Sequence, residues 1–232
     1  MSREFALKLN GVGIEYLQRQ SFFRHKKHRV LSNITFNITK GETLGVLGRN
    51  GCGKSTLLKV LAGIIAPDQG NIEFFGNSVS LLTLAAGFDN ELSGRDNAIV
   101  SAMLLGNTKA DAIAQLDEVN EFAELGGAFE EPVKTYSAGM RARLGFSIAV
   151  KMQADVLLID EVLGVGDEGF KKKARSVILD RINSEQTVVL VSHSVDTMVN
   201  LCQRAIWLER GQLKGIGEAA TLCEEYRNTF KL

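Results

Sequence analysis

No stretch of this chain approaches the 18 consecutive apolar residues of a membrane-spanning helix, so the sequence offers no bilayer span. The N-terminus, MSREFALKLNG, lacks the apolar core of a signal peptide. Proline is nearly missing, with only Pro67 and Pro132, and there is no low-complexity tract, internal repeat or linker. Cysteine is scarce too. Cys52, Cys202 and Cys223 show no paired spacing, which suits a reducing compartment rather than a disulfide framework. Charge of one sign is lacking: 27 bases balance 27 acids, which removes support for a bulk electrostatic nucleic-acid binder. What is present is an ordinary globular composition, 45% hydrophobic and 23% charged over 232 residues. That makes one large domain or two small ones, long enough to bury a sizeable core. Glycine, by contrast, is plentiful at 23 residues. Many glycines in a packed chain mean many places where backbone must come close to something.

The chain reads as alternating strands and helices. Ile34, Phe36 and Ile38 alternate with Thr35, Asn37 and Thr39, the period of a half-buried strand. TLGVLG (43–48) is a short apolar run, a buried strand. KSTLLKVLAG places Leu57, Leu58 and Leu61 on one helical face, and Gly63 with Pro67 stops that helix. NIEFFG (71–76) reads as a strand closed by a glycine turn. From about Ser93 to Met152 the pattern is helical. Within it, residues 117–131 carry six acids and no base, a solvated helix face. Strand signals resume with DVLLID (155–160) and TVVLVS (187–192), with a helix around 168–183 between them. AIWLERGQLKGIG reads as a hairpin turned at Arg210–Gly211, and a terminal helix follows near 218–230. The layout is an α/β body interrupted by a helical insertion near 88–152.

The strongest local signal is Gly48-Arg49-Asn50-Gly51-Cys52-Gly53-Lys54-Ser55, followed by Thr56. It matches G-x-x-x-x-G-K-[ST], with an apolar strand before it and a helix after it. The glycines let consecutive backbone N–H groups turn inward around phosphate oxygens. The helix that follows directs its positive dipole end at the same anions. Lys54 supplies a point charge for β- and γ-phosphates, and Ser55 a hydroxyl ligand for Mg²⁺. Cys52 reads as a small side chain in a crowded loop; redox regulation would need a lowered thiol pKa.

VLLID ends in Asp160, followed by Glu161. A buried strand that delivers an acid at its C-terminal end places it beside the phosphate loop in doubly wound sheets. Asp160 would hold the Mg²⁺ shell and Glu161 would act as general base on the attacking water. His193 ends the next strand segment, LVSHS, which points it to the same edge for a γ-phosphate contact. An isolated histidine is otherwise a structural hydrogen-bonding residue. His25 and His28 lie in a basic stretch and read as solvated.

A phosphate loop and an acidic strand fit kinases, GTPases, helicases and transport ATPases alike. The discriminating segment is Tyr136-Ser137-Ala138-Gly139-Met140, about 20 residues before Asp160. Here the sequence resembles the nucleotide-binding subunits of ABC transporters, whose signature motif, commonly LSGGQ, occupies this place. Ser137 is a good N-cap for the following helix. The resemblance covers nearly the whole chain. It extends to the branch that exports capsules, O-antigens and teichoic acids, through AAGFDNELSGRDN (85–97), YSAGMRARLGFS (136–147), IDEVLGVGDEGFKKK (159–173) and VSHSVDTM (191–198). It implies a P-loop NTPase (RecA-like) α/β core, residues 1–87 and 153–232, with an antiparallel β subdomain and a helical subdomain insertion at about 88–152. ATP and Mg²⁺ are the implied cofactors. Ser137, Ala138 and Gly139 would close over the ATP of a second copy, with a D-loop at Val165-Gly166-Asp167. An aromatic ring would stack on adenine: Tyr16 is the first candidate, Phe22 or Phe23 the others, and a tyrosine at 16 fits a core position equally. Most cassettes carry a glutamine between the phosphate loop and the insertion. SLLTLAAGF has none, and Thr83 falls nearest that position.

The resemblance further implies a homodimer in the ATP-bound state, peripheral on the cytoplasmic face of the inner membrane. It would drive a separate integral permease and bind no nucleic acid. The exported cargo would be a lipid-linked polysaccharide or polyol-phosphate polymer. With the chain ending soon after the terminal helix, recognition of the cargo's chain end is expected to sit elsewhere or to be absent. The rival reading is a non-transport ABC ATPase acting on nucleic acid or ribosomes. Such families tend to carry tandem cassettes or a long coiled-coil insertion, and neither is here. Last, QRQSFFRHKKHR (18–29) holds five Arg/Lys, two histidines and two phenylalanines. It reads as a solvated loop, or alternatively as a contact for anionic lipid headgroups.

Overall fold

The structure is a computed structural model that describes residues 4–21, 24–82, 87–152, 154–160, 167–192 and 194–230. In chain order the elements begin with β1 (Phe5–Ser21), β2 (Arg24–Thr39), β3 (Thr43–Leu47), α1 (Lys54–Leu61), β4 (Gln69–Glu73) and β5 (Val79–Leu82). Next come α2 (Gly94–Leu104), α3 (Lys109–Ala114), α4 (Leu116–Ala123), two 3₁₀ turns at Gly126–Glu130 and Val133–Thr135, and α5 (Ala138–Lys151). The chain continues with β6 (Val156–Asp160), α6 (Glu168–Asn183), β7 (Thr187–Val191), α7 (Val195–Leu201), β8 (Arg204–Glu209), β9 (Gln212–Glu218) and α8 (Ala219–Phe230). They form two compact units, residues 1–77 with 185–232, and residues 78–184.

The first unit holds an antiparallel sheet in the order β2-β1-β4 and a second run of strands in the order β7-β3-β8-β9. In the latter, β3 pairs in parallel with both β7 and β8, and β9 folds back antiparallel on β8. All five residues of β3 are buried, as a strand covered on both faces requires. On β1 the buried residues are Leu7, Leu9, Val12 and Ile14. The spacing slips between Leu9 and Val12, where the register against β2 shifts from Leu9↔Phe36 to Val12↔Ile34. One extra residue at Asn10–Gly11 makes this β-bulge, and Gly11 takes φ +61°. The bulge returns Val12 and Ile14 to the core face. The β8–β9 turn falls at Arg210–Gly211 as the sequence implied. Both residues have positive φ (49° and 74°), the signature of a type I′ hairpin.

Residues 18–21 and 24–29 of the basic stretch are strand, not loop. They form the outer end of the β1–β2 hairpin, with Gln18↔Lys26, Arg19↔His25 and Ser21↔Arg24 as partners. Glu15 helps hold this end, with Arg29 at 2.6 Å and Lys27 at 3.2 Å across the strands. These two cations hold the Glu15 carboxyl below its ordinary range.

The second unit pairs β5 with β6 in parallel and carries all of α2–α6. No strand element lies between Ser93 and Met152, in line with the helical reading. Two sets of side chains fill this unit. Ala98, Ala102, Leu116, Phe129, Leu144 and Ile148 anchor one core. Phe122, Phe146 and Phe170 meet ring to ring at 5.7–6.0 Å in another. The acidic face is exposed but not purely solvated: Glu118 pairs with Lys151, Glu124 with Lys173, and Glu130 with Arg95. Exposed pairs of this kind add little stability each, about 0–1 kcal/mol.

Candidate functional site

The phosphate loop leaves the buried end of β3 and runs into α1. Gly48 is wedged in place: a Cβ there would lie 2.5 Å from both Cys52 Sγ and the Leu208 carbonyl. Asn50 and Gly51 are exposed, Gly53 and Thr56 half-buried, and Ser55 exposed on the first turn of α1. Gly53 caps α1 without a side-chain hydrogen bond, so no side-chain cap fills the anion-binding end of that helix. Lys54 is only 8% exposed. Its Nζ donates to the carbonyls of Gly48 at 2.7 Å and Arg49 at 3.2 Å, which holds the ammonium inside the loop. The Cys52 N–H donates to the same Arg49 carbonyl at 3.2 Å. Cys52 itself is buried, and burial pushes its thiol up, the wrong direction for a reactive thiolate. The structure therefore favours the packing role for Cys52.

Two supports behind the loop had no sequence signal. The Gly211 N–H donates to the Cys52 carbonyl at 3.0 Å, and the Gly211 carbonyl accepts from Ser32 N–H at 2.8 Å. Arg49 lies over the Phe230 ring at 5.4 Å, within cation–π range. A cleft of about 780 Å³ opens alongside, lined by Arg49, Asn50, Ser192, Trp207, Tyr226 and Phe230 among others. Tyr16 stands on β1 opposite His28 and is 41% exposed. That exposure fits a stacking face better than a core position.

In the second unit, β6 buries Val156–Ile159 and brings out Asp160 half-buried at its end. Ser137 caps α5 as the sequence implied, its Oγ accepting from the Met140 N–H at 3.2 Å. Ala138 is exposed and Gly139 half-buried; a Cβ on Gly139 would meet nothing nearer than Ser137 Oγ at 3.8 Å. This leaves the N-terminus of α5 open to an approaching group. Asp167 caps α6 through Oδ1, accepting from Phe170 N–H at 2.9 Å, a role the sequence reading missed although the pattern D-x-x-F before a helix carries it. Glu161, His193, Thr83, Phe22, Phe23, Val165 and Gly166 lie outside the described residues.

The structure thus holds a glycine-lined, lysine-bearing phosphate loop at a helix start, and a capped helix start after a Tyr-Ser-Ala-Gly segment. The ABC transporter family model matches residues 31–164, more than half of the chain. The chain belongs to this family. As an ABC cassette, it has the domain of a nucleotide-binding ATPase. It is 42% identical over 202 residues to the O-antigen export system ATP-binding protein RfbB of Myxococcus xanthus, covering 87% of this chain and 46% of that protein. RfbB of Klebsiella pneumoniae is 39% identical, covering 88% of this chain and 83% of its own length. The teichoic acids export ATP-binding protein TagH of Enterococcus faecalis is 41% identical, covering 85% and 44%. The cassette therefore spans about half the length of two of these relatives. Its fold is that of solved ABC cassettes. The dimeric cassette MJ0796 superposes with a TM-score of 0.73 at 19% identity, covering 92% of this chain and 98% of that one.

Proposed function

We propose that this cassette hydrolyses ATP in a homodimer and powers a separate membrane permease that exports a lipid-linked polysaccharide or polyol-phosphate polymer. The observation that carries the ATPase part is the loop geometry, with the Lys54 ammonium held inside a glycine cradle at the start of α1. In this reading Gly48, Asn50, Gly51 and Gly53 offer backbone N–H groups to the phosphates, the Cys52 N–H joins them by leaving the Arg49 carbonyl, Lys54 neutralises them, and Thr56 with Tyr16 completes the nucleotide contacts. Ser137, Ala138 and Gly139 close on the nucleotide of the second copy. Glu161 takes the proton of the attacking water and His193 contacts the γ-phosphate. Among the described residues no cluster of three or more His, Cys, Asp or Glu forms a metal cage. Mg²⁺ binds through one or two protein oxygens and the substrate's own phosphates, which a hydroxyl and a carboxylate can supply. Ser55 and Asp160 would hold it, and it would neutralise phosphate charge. The functional layout is a core of residues 1–87 and 153–232 with a helical insertion at 88–152.

The export part draws on the names of the relatives. The permease partner is likewise read from the export-system names of those relatives; among the described residues no helix is long and apolar enough to cross a membrane. It is also supported by α2, which leaves Val100, Met103 and Leu104 exposed at i, i+3 and i+4, an apolar stripe suited to a partner. The purified cassette should hydrolyse ATP and stop when EDTA removes Mg²⁺, and Lys54→Ala should lose both turnover and ATP binding. Undiminished hydrolysis by Lys54→Ala would overturn the assignment.

The hairpin end supports a peripheral place on the membrane. Lys27, His28, Arg29 and Leu17 are exposed there, with Leu17 69% accessible. Each base near an anionic surface contributes about 1 kcal/mol, reduced here for Lys27 and Arg29 by Glu15. Neutralising Arg24, Lys26, Lys27 and Arg29 together should weaken co-sedimentation with phosphatidylglycerol vesicles. Equal binding by wild type and variant would remove the lipid contact.

A further inference from the structure

The segment 85–97, AAGFDNELSGRDN, is distinctive in sequence, yet the ATPase reading gives most of it no role. The structure shows what residues 89–97 do. Asn97 is 2% exposed and uses its whole side chain on the backbone before it. Its Oδ1 accepts from Asp89 N–H at 2.8 Å. Its Nδ2 donates to the carbonyls of Asp89 (2.9 Å), Leu92 (3.2 Å) and Ser93 (2.9 Å). This folds residues 89–93 into a rigid cap on the start of α2. The capped segment is then zipped to the residues before Ser137. Val133 N–H donates to the Leu92 carbonyl at 2.9 Å, Lys134 N–H to that of Asn90 at 3.0 Å, and Gly94 N–H to that of Glu131 at 3.2 Å. Charged side chains repeat the link, with Lys134–Glu91 at 2.5 Å and Arg95–Glu130 at 2.7 Å.

Tyr136 closes the bracket. It is 4% exposed, and its hydroxyl donates to the Ala128 carbonyl at 2.5 Å. α2 packs so tightly on that hydroxyl that a Cβ on Gly94 would lie 2.2 Å from the tyrosine oxygen. The next residue is Ser137, the cap of α5. The backbone of Ser137 therefore leaves a tyrosine pinned from one side by the residue 128 carbonyl and from the other by the first turn of α2.

We propose that Asn97 and Tyr136 are positioning residues: they lock residues 89–97 and 128–136 into one bracket that sets where Ser137 and the start of α5 stand. Because α2 carries the exposed Val100, Met103 and Leu104, a push on that helix moves Ser137 with it. The inference rests on the reading that Ser137 acts on the nucleotide of the second copy. It adds which residues aim it. Side-chain amides that tie several backbone groups suit such a task, since they fix a position rather than fill a volume.

The test uses the full chain and six variants, four in the bracket and two as references at Ser137 and Lys54, each assayed well below its melting temperature. Tyr136→Phe keeps the ring and deletes one hydrogen bond. Asn97→Asp keeps the shape and deletes the donor. Binding of a fluorescent ATP analogue to the monomer, which reads the phosphate loop, should stay within about twofold of wild type. The kcat for ATP should fall about tenfold in Tyr136→Phe, the effect of one lost hydrogen bond on a positioned group, and further in Asn97→Asp, which loses all three Nδ2 hydrogen bonds. Gly94→Ala should fall further, and Gly94→Ala with Tyr136→Phe should recover part of the loss, because the phenylalanine has no oxygen for the new methyl to strike. Unchanged kcat in Tyr136→Phe and Asn97→Asp, or no recovery in the double variant, overturns the proposal. Ser137→Ala separates the two levels. If its kcat matches wild type while Lys54→Ala is dead, the role of Ser137 itself is wrong, whatever the bracket variants do.

Discussion

Glu161→Gln is expected to bind ATP, accumulate as a dimer and turn over about 10²–10⁴-fold more slowly than wild type, the usual contribution of a positioned general base. The argument starts from β6. Its four residues Val156–Ile159 are buried, and the chain first meets a polar setting at Asp160. Asp160 thus stands at the C-terminal end of a buried parallel strand, where open α/β sheets place their ligand chemistry, and Glu161 follows it in the sequence. Glutamine matches glutamate in size and in hydrogen-bonding reach, but it cannot take a proton from water. In the proposed closed dimer it would also remove one negative charge from beside the γ-phosphate, so the ATP-bound closed state should last longer. Turnover by phosphate release and size-exclusion chromatography with ATP read the two effects separately. Hydrolysis at the wild-type rate would exclude Glu161 as the base.

Gly211→Ala should strike the phosphate loop from behind. At φ +74°, an L side chain costs about 1–2 kcal/mol. The new Cβ would also lie 2.2 Å from the Val30 carbonyl oxygen and 2.9 Å from its carbon. Both are backbone atoms, so no side-chain rotation relieves the contact, and the turn itself must move. Moving it lifts the amide from the Cys52 carbonyl and loosens the loop that holds Lys54. We expect a loss of about 3 kcal/mol, read as a melting point lower by roughly 6–12 °C in a chain of this size. ATP affinity should weaken about tenfold with it, the worth of one lost hydrogen bond in the loop's support. Gly217→Ala is the control. It lies on β9, the strand that follows Gly211, and a Cβ there meets nothing within 4 Å. Its melting point should hold or rise slightly, because alanine restricts the unfolded chain. Equal melting of the two variants would show that Gly211 bears no such load.

These two residues mark the limits of what is legible in the chain. Glu161 stands out because it follows an apolar run and sits in a family segment, both local features. The phosphate loop, β3, α1, α6, β7 and the Arg210–Gly211 turn were legible for the same reason: periodicity and turn chemistry act between near neighbours. Gly211 was legible as half of a turn but not as a support, since its partners Val30, Ser32 and Cys52 come from other elements. β1 was hidden by its bulge at Asn10–Gly11, which breaks the two-residue period midway. β5 is only four residues long and lies inside a longer apolar stretch. The stretch 18–29 carries no apolar alternation, so it offers no strand period to read. Its pairing is set by backbone hydrogen bonds and by Glu15 across from Arg29.

By itself, then, the sequence determined the chemistry of this protein: a lysine and hydroxyls in a glycine loop, an acid pair after a buried strand, and a serine that caps a helix. Those properties reside in contiguous residues, and contiguous residues stay together in any fold. Only the tertiary structure decided what holds these groups in position. The tyrosine under Ser137 packs against Gly94 and the glycine behind Cys52 against Val30, both far along the chain, while the asparagine ties residues 89–93 to α2 so that they can bond to residues 131–134. Such contacts follow from packing, which depends on all the elements at once.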